Sequence, residues 1–235
     1  MFSSQRWLRI IPVALIMYTI SYVDRTNVSL ALDPSISGMM KELGMDDHMK
    51  GEAMGVFFFG YMLLQIPGGY LASRWSAKWF VVVLLVLWGV CAVGCGFATT
   101  FFQFESMRIL LGIAEGGVFP AVLVLLSHWF PRTERARANA FWILSLPLAV
   151  AFSAPLTGWL LGGWGWRTML KVEGALPFLW LPIWLYFVKD HPRQAKWLGA
   201  EERDHLEATL QREAGETRFP IRHRCGRPSC NPPRW

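Results

Sequence analysis

The feature that most constrains this chain is a series of apolar stretches, each about as long as a bilayer is thick. Six are read, approximately 10–31, 53–72, 79–98, 103–128, 139–161 and 169–188. A helix of about 20 residues crosses a hydrocarbon core of roughly 30 Å. Lipid offers no hydrogen bonds, so such stretches pair their backbone groups internally, as helices. The expected fold class is an all-α membrane protein with six transmembrane helices. A secretory signal starting at Arg6 and Arg9 is the other reading of the first stretch. It is set aside because the run is long, charge follows it, and no clear small-residue cleavage site appears.

The formal charge of +6 misleads. Five arginines and no acid fall in residues 218–235, which leaves 23 − 5 = 18 basic against 17 acidic residues before them. Nucleic acid is therefore not an expected partner. Placement says more than the sum. With the N-terminus inside, Arg6, Arg9, Arg74, Lys78, Arg132, Arg135 and Arg137 fall in cytoplasmic connections. Only Lys41, Lys50 and Arg167 fall outside. That asymmetry fits the positive-inside rule and puts both termini in the cytoplasm. The expected location is a bacterial inner membrane, with the lipid bilayer as a partner.

Three segments are expected: a transmembrane domain over 1–190, a cytoplasmic linker with a short helix over 191–217, and an irregular basic tail over 218–235. The tail carries Pro220, Pro228, Pro232 and Pro233 among scattered arginines. It reads either as a lipid-touching tail or, preferred here, as a shifted reading frame. Cys91 and Cys95 are read as helix packing, and no metal or cofactor is expected. No nucleophile constellation, metal cluster or phosphate loop suggests an enzyme.

Charge inside apolar segments is costly and marks pathways or partners. Asp24 and Arg25 follow the run from Ile10 to Val23, and Arg108 and Glu115 lie two turns apart on one helix face. Counting residues puts Asp24, Arg25 and Arg108 at one depth, with Glu115 beneath them and Gly112 leaving open space. Two cations and two acids sum to zero when ionised. Protonating both acids leaves +2, which suits an anion and links its binding to protons. Tyr22 and Asn27 extend the polar patch. Tyr61 and Gln65 share a face of the second stretch as possible cavity-lining residues. Purely architectural salt bridging is the competing reading. Glu173 and Lys171 are ambiguous. Gly112 and Gly116 are read as close packing.

Several ordered motifs carry a resemblance. Tyr22-Val-Asp24-Arg25-Thr-Asn27-Val-Ser29 resembles the first-helix signature of the anion:cation symporter family, within the major facilitator superfamily. Arg108-Ile-Leu-Leu-Gly112-Ile-Ala-Glu115-Gly-Gly-Val-Phe119-Pro120 resembles its fourth-helix signature. His128-Trp-Phe-Pro131, Gly165-Trp-Arg167 through Glu173-Gly174, and Asp190-His-Pro192 are similar to its later motifs. The resemblance implies one half of a major-facilitator-type bundle and proton symport of a small organic anion, a sugar acid or other carboxylate, by alternating access. It implies that Tyr22, Arg25 and Arg108 bind substrate and that Asp24 and Glu115 carry protons. Gly69 and Arg74 match the superfamily's gating loop, but Ser73 stands where the family has an acid. The family has twelve spans, so the expected partners are the substrate, protons, and a missing C-terminal half or a second copy. A truncated, inactive product is part of this expectation. The alternative is a six-span sensor or assembly subunit without transport.

Overall fold

In a computed structural model, residues 4–218 are described. Ten α-helices account for most of them: α1 (Ser4–Ala31), α2 (Met39–Glu42), α3 (Asp47–Arg74), α4 (Ala77–Cys95), α5 (Phe101–Gly116), α6 (Val118–Trp129), α7 (Arg132–Ile143), α8 (Ser145–Gly174), α9 (Leu176–Phe187) and α10 (Ala200–Arg218). A 3-10 turn, Pro192–Gln194, precedes α10. The all-α class is what the apolar stretches demand. The basic tail beyond Arg218 lies outside the described residues.

Local chemistry sets where helices start and break. Asp46, Ser76 and Thr100 cap α3, α4 and α5 by accepting the N–H of Met49, Trp79 and Gln103. Proline returns no N–H to the preceding turn. The α5/α6 break at Gly117 lies just before Pro120, and the α7/α8 break at Leu144 lies just before Pro147. Pro155, also expected to kink its helix, sits inside α8.

Among the described residues, five helical stretches are long and apolar enough to cross a membrane, one of them covering both the fifth and the sixth stretch read from the sequence. That one is Arg132–Phe187, a stretch of 56 residues. Unbroken, it would run about 84 Å at 1.5 Å per residue, far beyond one crossing. Besides the breaks at Leu144 and Ala175, it abandons the helix path at Gly165, with φ 75° and ψ 171°.

Helix α4 lies at the centre, packed against α5, α6, α8 and α9, while α1 packs on α8 and α3 on α5. The apolar core is in two parts. One gathers Met17, Tyr18, Trp88, Leu111 and Trp129; the other gathers Val28, Leu32, Phe104, Trp166 and Met169. Three buried polar residues of α1, Ser21, Asp24 and Asn27, fall between those two clusters along the helix. Outside, Phe58, Phe59, Met62, Ile66, Phe152 and Trp159 are exposed, with Ile66 86% accessible. Apolar surface on this scale needs lipid or protein over it.

Candidate functional site

Helix geometry separates Asp24 from Arg25, since adjacent residues point about 100° apart. Arg25 faces α3 and α5. Its Nε donates to Glu115 Oε2 at 2.8 Å, and its Nη2 donates to Ser21 Oγ at 3.2 Å. Ser21 in turn donates to the same Glu115 oxygen at 2.8 Å. The guanidinium lies 4.4 Å from the centre of the Tyr61 ring, 5.6 Å from Tyr18 and 5.9 Å from Phe57. Asp24 faces α4 and accepts the indole N–H of Trp88 at 2.5 Å. Its other oxygen accepts from Asn27 at 3.3 Å.

Arg108 is the least satisfied member. It is 2% exposed, lies 4.5 Å from the Phe57 ring centre, and its Nε and Nη1 have no hydrogen-bond partner. Phe57 is thus flanked by both guanidinium groups. Glu115 is fully buried and keeps one oxygen, Oε1, unpaired. Unmet polar atoms at this depth are expensive, so these mark where a ligand or a rearranged partner gains most.

The expected charges therefore converge, but in a different order. Arg25 pairs with Glu115, while Asp24 and Arg108 line one small cavity with Asn27 and Cys95. That cavity is about 10 Å³, room for no more than a water. A third acid, Glu173, joins the group through Asn27, so the two-against-two charge sum omits a carboxylate. Tyr61 lies over Arg25, but Tyr22 is only partly buried and takes part through its backbone carbonyl, which accepts from Thr26. Gln65 is exposed on α3. Gly69 touches Pro120, and Arg74 is exposed beside the Tyr70 ring.

Gly112 does not leave open space. A Cβ there would sit 2.1 Å from the Phe57 carbonyl oxygen, and one on Gly116 would sit 2.2 Å from that of Tyr61. These glycines let α3 and α5 touch backbone to backbone, the packing role read for them, and so bring Phe57 and Tyr61 to the arginines. Phe57, Tyr18, Ser21, Trp88 and Thr157 were not singled out from the sequence. Ser21 lies one turn before Arg25, a spacing that could have flagged it.

A larger cavity of about 410 Å³ lies between α6, the 3-10 turn and α10, lined by His128, Arg132, Arg135, His191, Arg193 and Glu213 among others. The Glu213 carboxylate already accepts the backbone N–H of Arg132. Size alone does not make it the site. The buried, unpaired charges are elsewhere.

Residues 14–229 match the family description "Major Facilitator Superfamily". A protein of Agrobacterium vitis assigned as a tartrate transporter is 31% identical over 88% of this chain and 48% of its own length. An Escherichia coli K12 protein assigned as a galactarate/D-glucarate transporter is 30% identical over 79% of this chain and 43% of its own. The chain spans about half the length of the curated relatives it matches. A crystal structure of a bacterial homologue of the human lysosomal transporter Spinster superposes with a TM-score of 0.72 at 20% identity. It covers 82% of this chain and 45% of the solved one, a likeness of fold.

Proposed function

We propose that this chain, which belongs to the Major Facilitator Superfamily, forms the charge-bearing half of a proton-coupled symporter for a small organic anion. Arg25 and Arg108 bind the substrate carboxylate, and Asp24 and Glu115 carry the coupled protons. The observation that supports this best is Arg108, a buried guanidinium with two unpartnered nitrogens beside a second arginine already held by an acid. An incoming carboxylate satisfies those donors by charge-assisted hydrogen bonds. Protonating Glu115 frees Arg25 to join it, which is the coupling step. Relatives assigned to tartrate and galactarate/D-glucarate support hydroxy-carboxylates as the class.

A cavity of only about 10 Å³ fits a site whose other wall comes from elsewhere. We assign that wall to a C-terminal half or a second copy, rocking against this bundle in alternating access. The bundle lies in a bacterial inner membrane with Arg6 and α10 on the cytoplasmic side.

Proteoliposomes containing the chain and loaded with buffer test this. Labelled tartrate or glucarate should accumulate under an inward proton gradient and not without one. Arg25→Ala and Glu115→Gln should each abolish the uptake. Uptake unchanged in both would reject the site; because one half lacks the second wall, absent uptake favours the sensor or assembly-subunit reading only where tartrate and glucarate also fail to bind the purified chain.

A further inference from the structure

A carboxylate that the sequence left ambiguous ends a hydrogen-bond chain leading into the site. Glu173 is fully buried. Thr157 donates to its Oε1 at 2.8 Å, and Asn27 Nδ2 donates to its Oε2 at 2.7 Å. The same nitrogen donates to Asp24 Oδ1 at 3.3 Å. One amide on α1 therefore bridges two buried acids, one on its own helix and one on α8. Both donors to Glu173 are neutral.

The charged and titratable surroundings are few. From α1 comes Asp24. From α4 comes Cys95, which with Arg108 of α5 lines the cavity that Asp24 and Asn27 share. Glu115 is held on the far side by Arg25. On α8 itself, the Lys171 ammonium lies 3.8 Å from the Phe97 ring centre. With Arg25 committed to Glu115, Arg108 is, among the described residues, the buried cation left near Asp24. Two ionised carboxylates sharing an amide repel, and one is relieved by a proton.

Asn27 Oδ1 is also buried and has no hydrogen-bond partner, so the amide that bridges the two acids is itself only half satisfied.

We propose that Glu173 is a third proton-carrying acid of the site, linked to Asp24 through the Asn27 amide. The inference rests on the proton-linked reading above. Its chemistry is a single O–H bond: the proton comes from water, sits on a Glu173 oxygen, and returns to water when the site empties, with no other reactant.

The test is pH-difference infrared spectroscopy of the full chain in lipid nanodiscs, read in the protonated-carboxyl C=O band. Glu173→Gln should remove one titrating component. It should also change the midpoint of the component lost in Asp24→Asn by about one pH unit, a tenfold change in proton affinity. Thr157→Val keeps both acids and should move the Glu173 component alone. Asn27→Leu should make the two midpoints independent. If Asp24 and Glu115 titrate but Glu173→Gln removes nothing, or leaves the Asp24 midpoint in place, this inference fails alone. If no buried carboxyl titrates in the unmutated chain, the proton-linked reading fails with it. The Thr157→Val and Asn27→Leu results keep the test decisive if Glu173→Gln does not fold.

Discussion

Two regions of this bundle bury charge in opposite ways. At the end that holds Arg6, Trp129 and Asp190, each buried charge has a polar or oppositely charged partner, although Arg6 Nε itself is left without one. Arg6 donates to the Trp129 carbonyl and pairs with Glu134 at 2.8 Å. Asp190 accepts from Ser76 Oγ at 2.5 Å and from the Lys78 N–H at 2.9 Å, and the Lys78 ammonium donates to the Leu185 carbonyl. Between the two apolar clusters, Arg108 leaves Nε and Nη1 unpaired, and Asn27 and Glu115 each leave an oxygen unpaired. The first pattern holds helices together. The second stores polar capacity that only a ligand, a proton or a partner can use. The teaching is that buried charge is informative through its missing bonds, not through its burial.

The sharpest way to break this contrast is to remove one cation from each region. Arg108→Met should weaken carboxylate binding by roughly 10- to 100-fold, the scale of lost hydrogen bonds between charged groups. Its thermal stability should hold or rise, because an unpaired buried charge is replaced by an apolar side chain of similar length. Substrate-protection and thermal-unfolding assays on one preparation read both. A variant that binds normally, or that unfolds like a core mutant, would mean Arg108 is part of the scaffold.

At the other end the sign reverses. Asp190→Ala removes the acceptor of both Ser76 and Lys78 at the start of α4, and should cost about 1–2 kcal/mol, as lost helix caps do. Asp190→Asn should recover part of it. Anion affinity should not change in either. This contact also speaks to the turn after α3, where Ser73 stands in place of the expected acid. Ser73 turns back on the Tyr70 carbonyl, and it is Asp190, from beyond α9, that supplies a carboxylate to the neighbouring turn.

The broad fold was legible because lipid leaves a chain few options: long apolar stretches become helices. The boundary between the fifth and sixth stretches was legible too: they were read as ending near 161 and starting near 169, and Gly165 breaks the helix path between them. Asp24, Arg25, Arg108 and Glu115 were legible because charge stands out in apolar text. Their partners were not. Pairing Arg25 with Glu115 needs the angle between α1 and α5, and spacing within one helix cannot supply it. Phe57 and Trp88 were invisible for the opposite reason: aromatics make up 14% of the chain, so none draws notice. Gly112 misled in part, since whether a missing side chain opens space or admits a neighbour depends on α3.

A smaller effect is expected at Arg6. Its partner Glu134 has a side chain 35% exposed, so solvent screens the pair. Arg6→Met should cost about 1 kcal/mol by thermal unfolding and leave binding alone. A loss several times larger would mean the Trp129 carbonyl, left without its donor, dominates.

The smallest effect should appear with pH at His191, next to Asp190, whose contacts to Ser76 and Lys78 latch the start of α4. Burial and the Arg193 guanidinium hold its imidazole below the ordinary histidine range, against the pull of Asp190 and Glu207. The ring also stacks on His128, with centres 4.5 Å apart. The folded chain resists this proton more than the unfolded chain does. Below about pH 6.5, where a free histidine charges, the unfolded state takes up a proton that the folded state refuses. Stability should therefore fall as pH drops through that value, and level off once the folded imidazole also charges. His191→Gln should flatten this part of the curve. Carboxylate binding, read at the same pH values, should still vary with pH in His191→Gln, because Asp24 and Glu115 are proposed to carry its protons. If the variant flattens binding as well, the latch and the site are one titrating system, and the contrast between them does not hold.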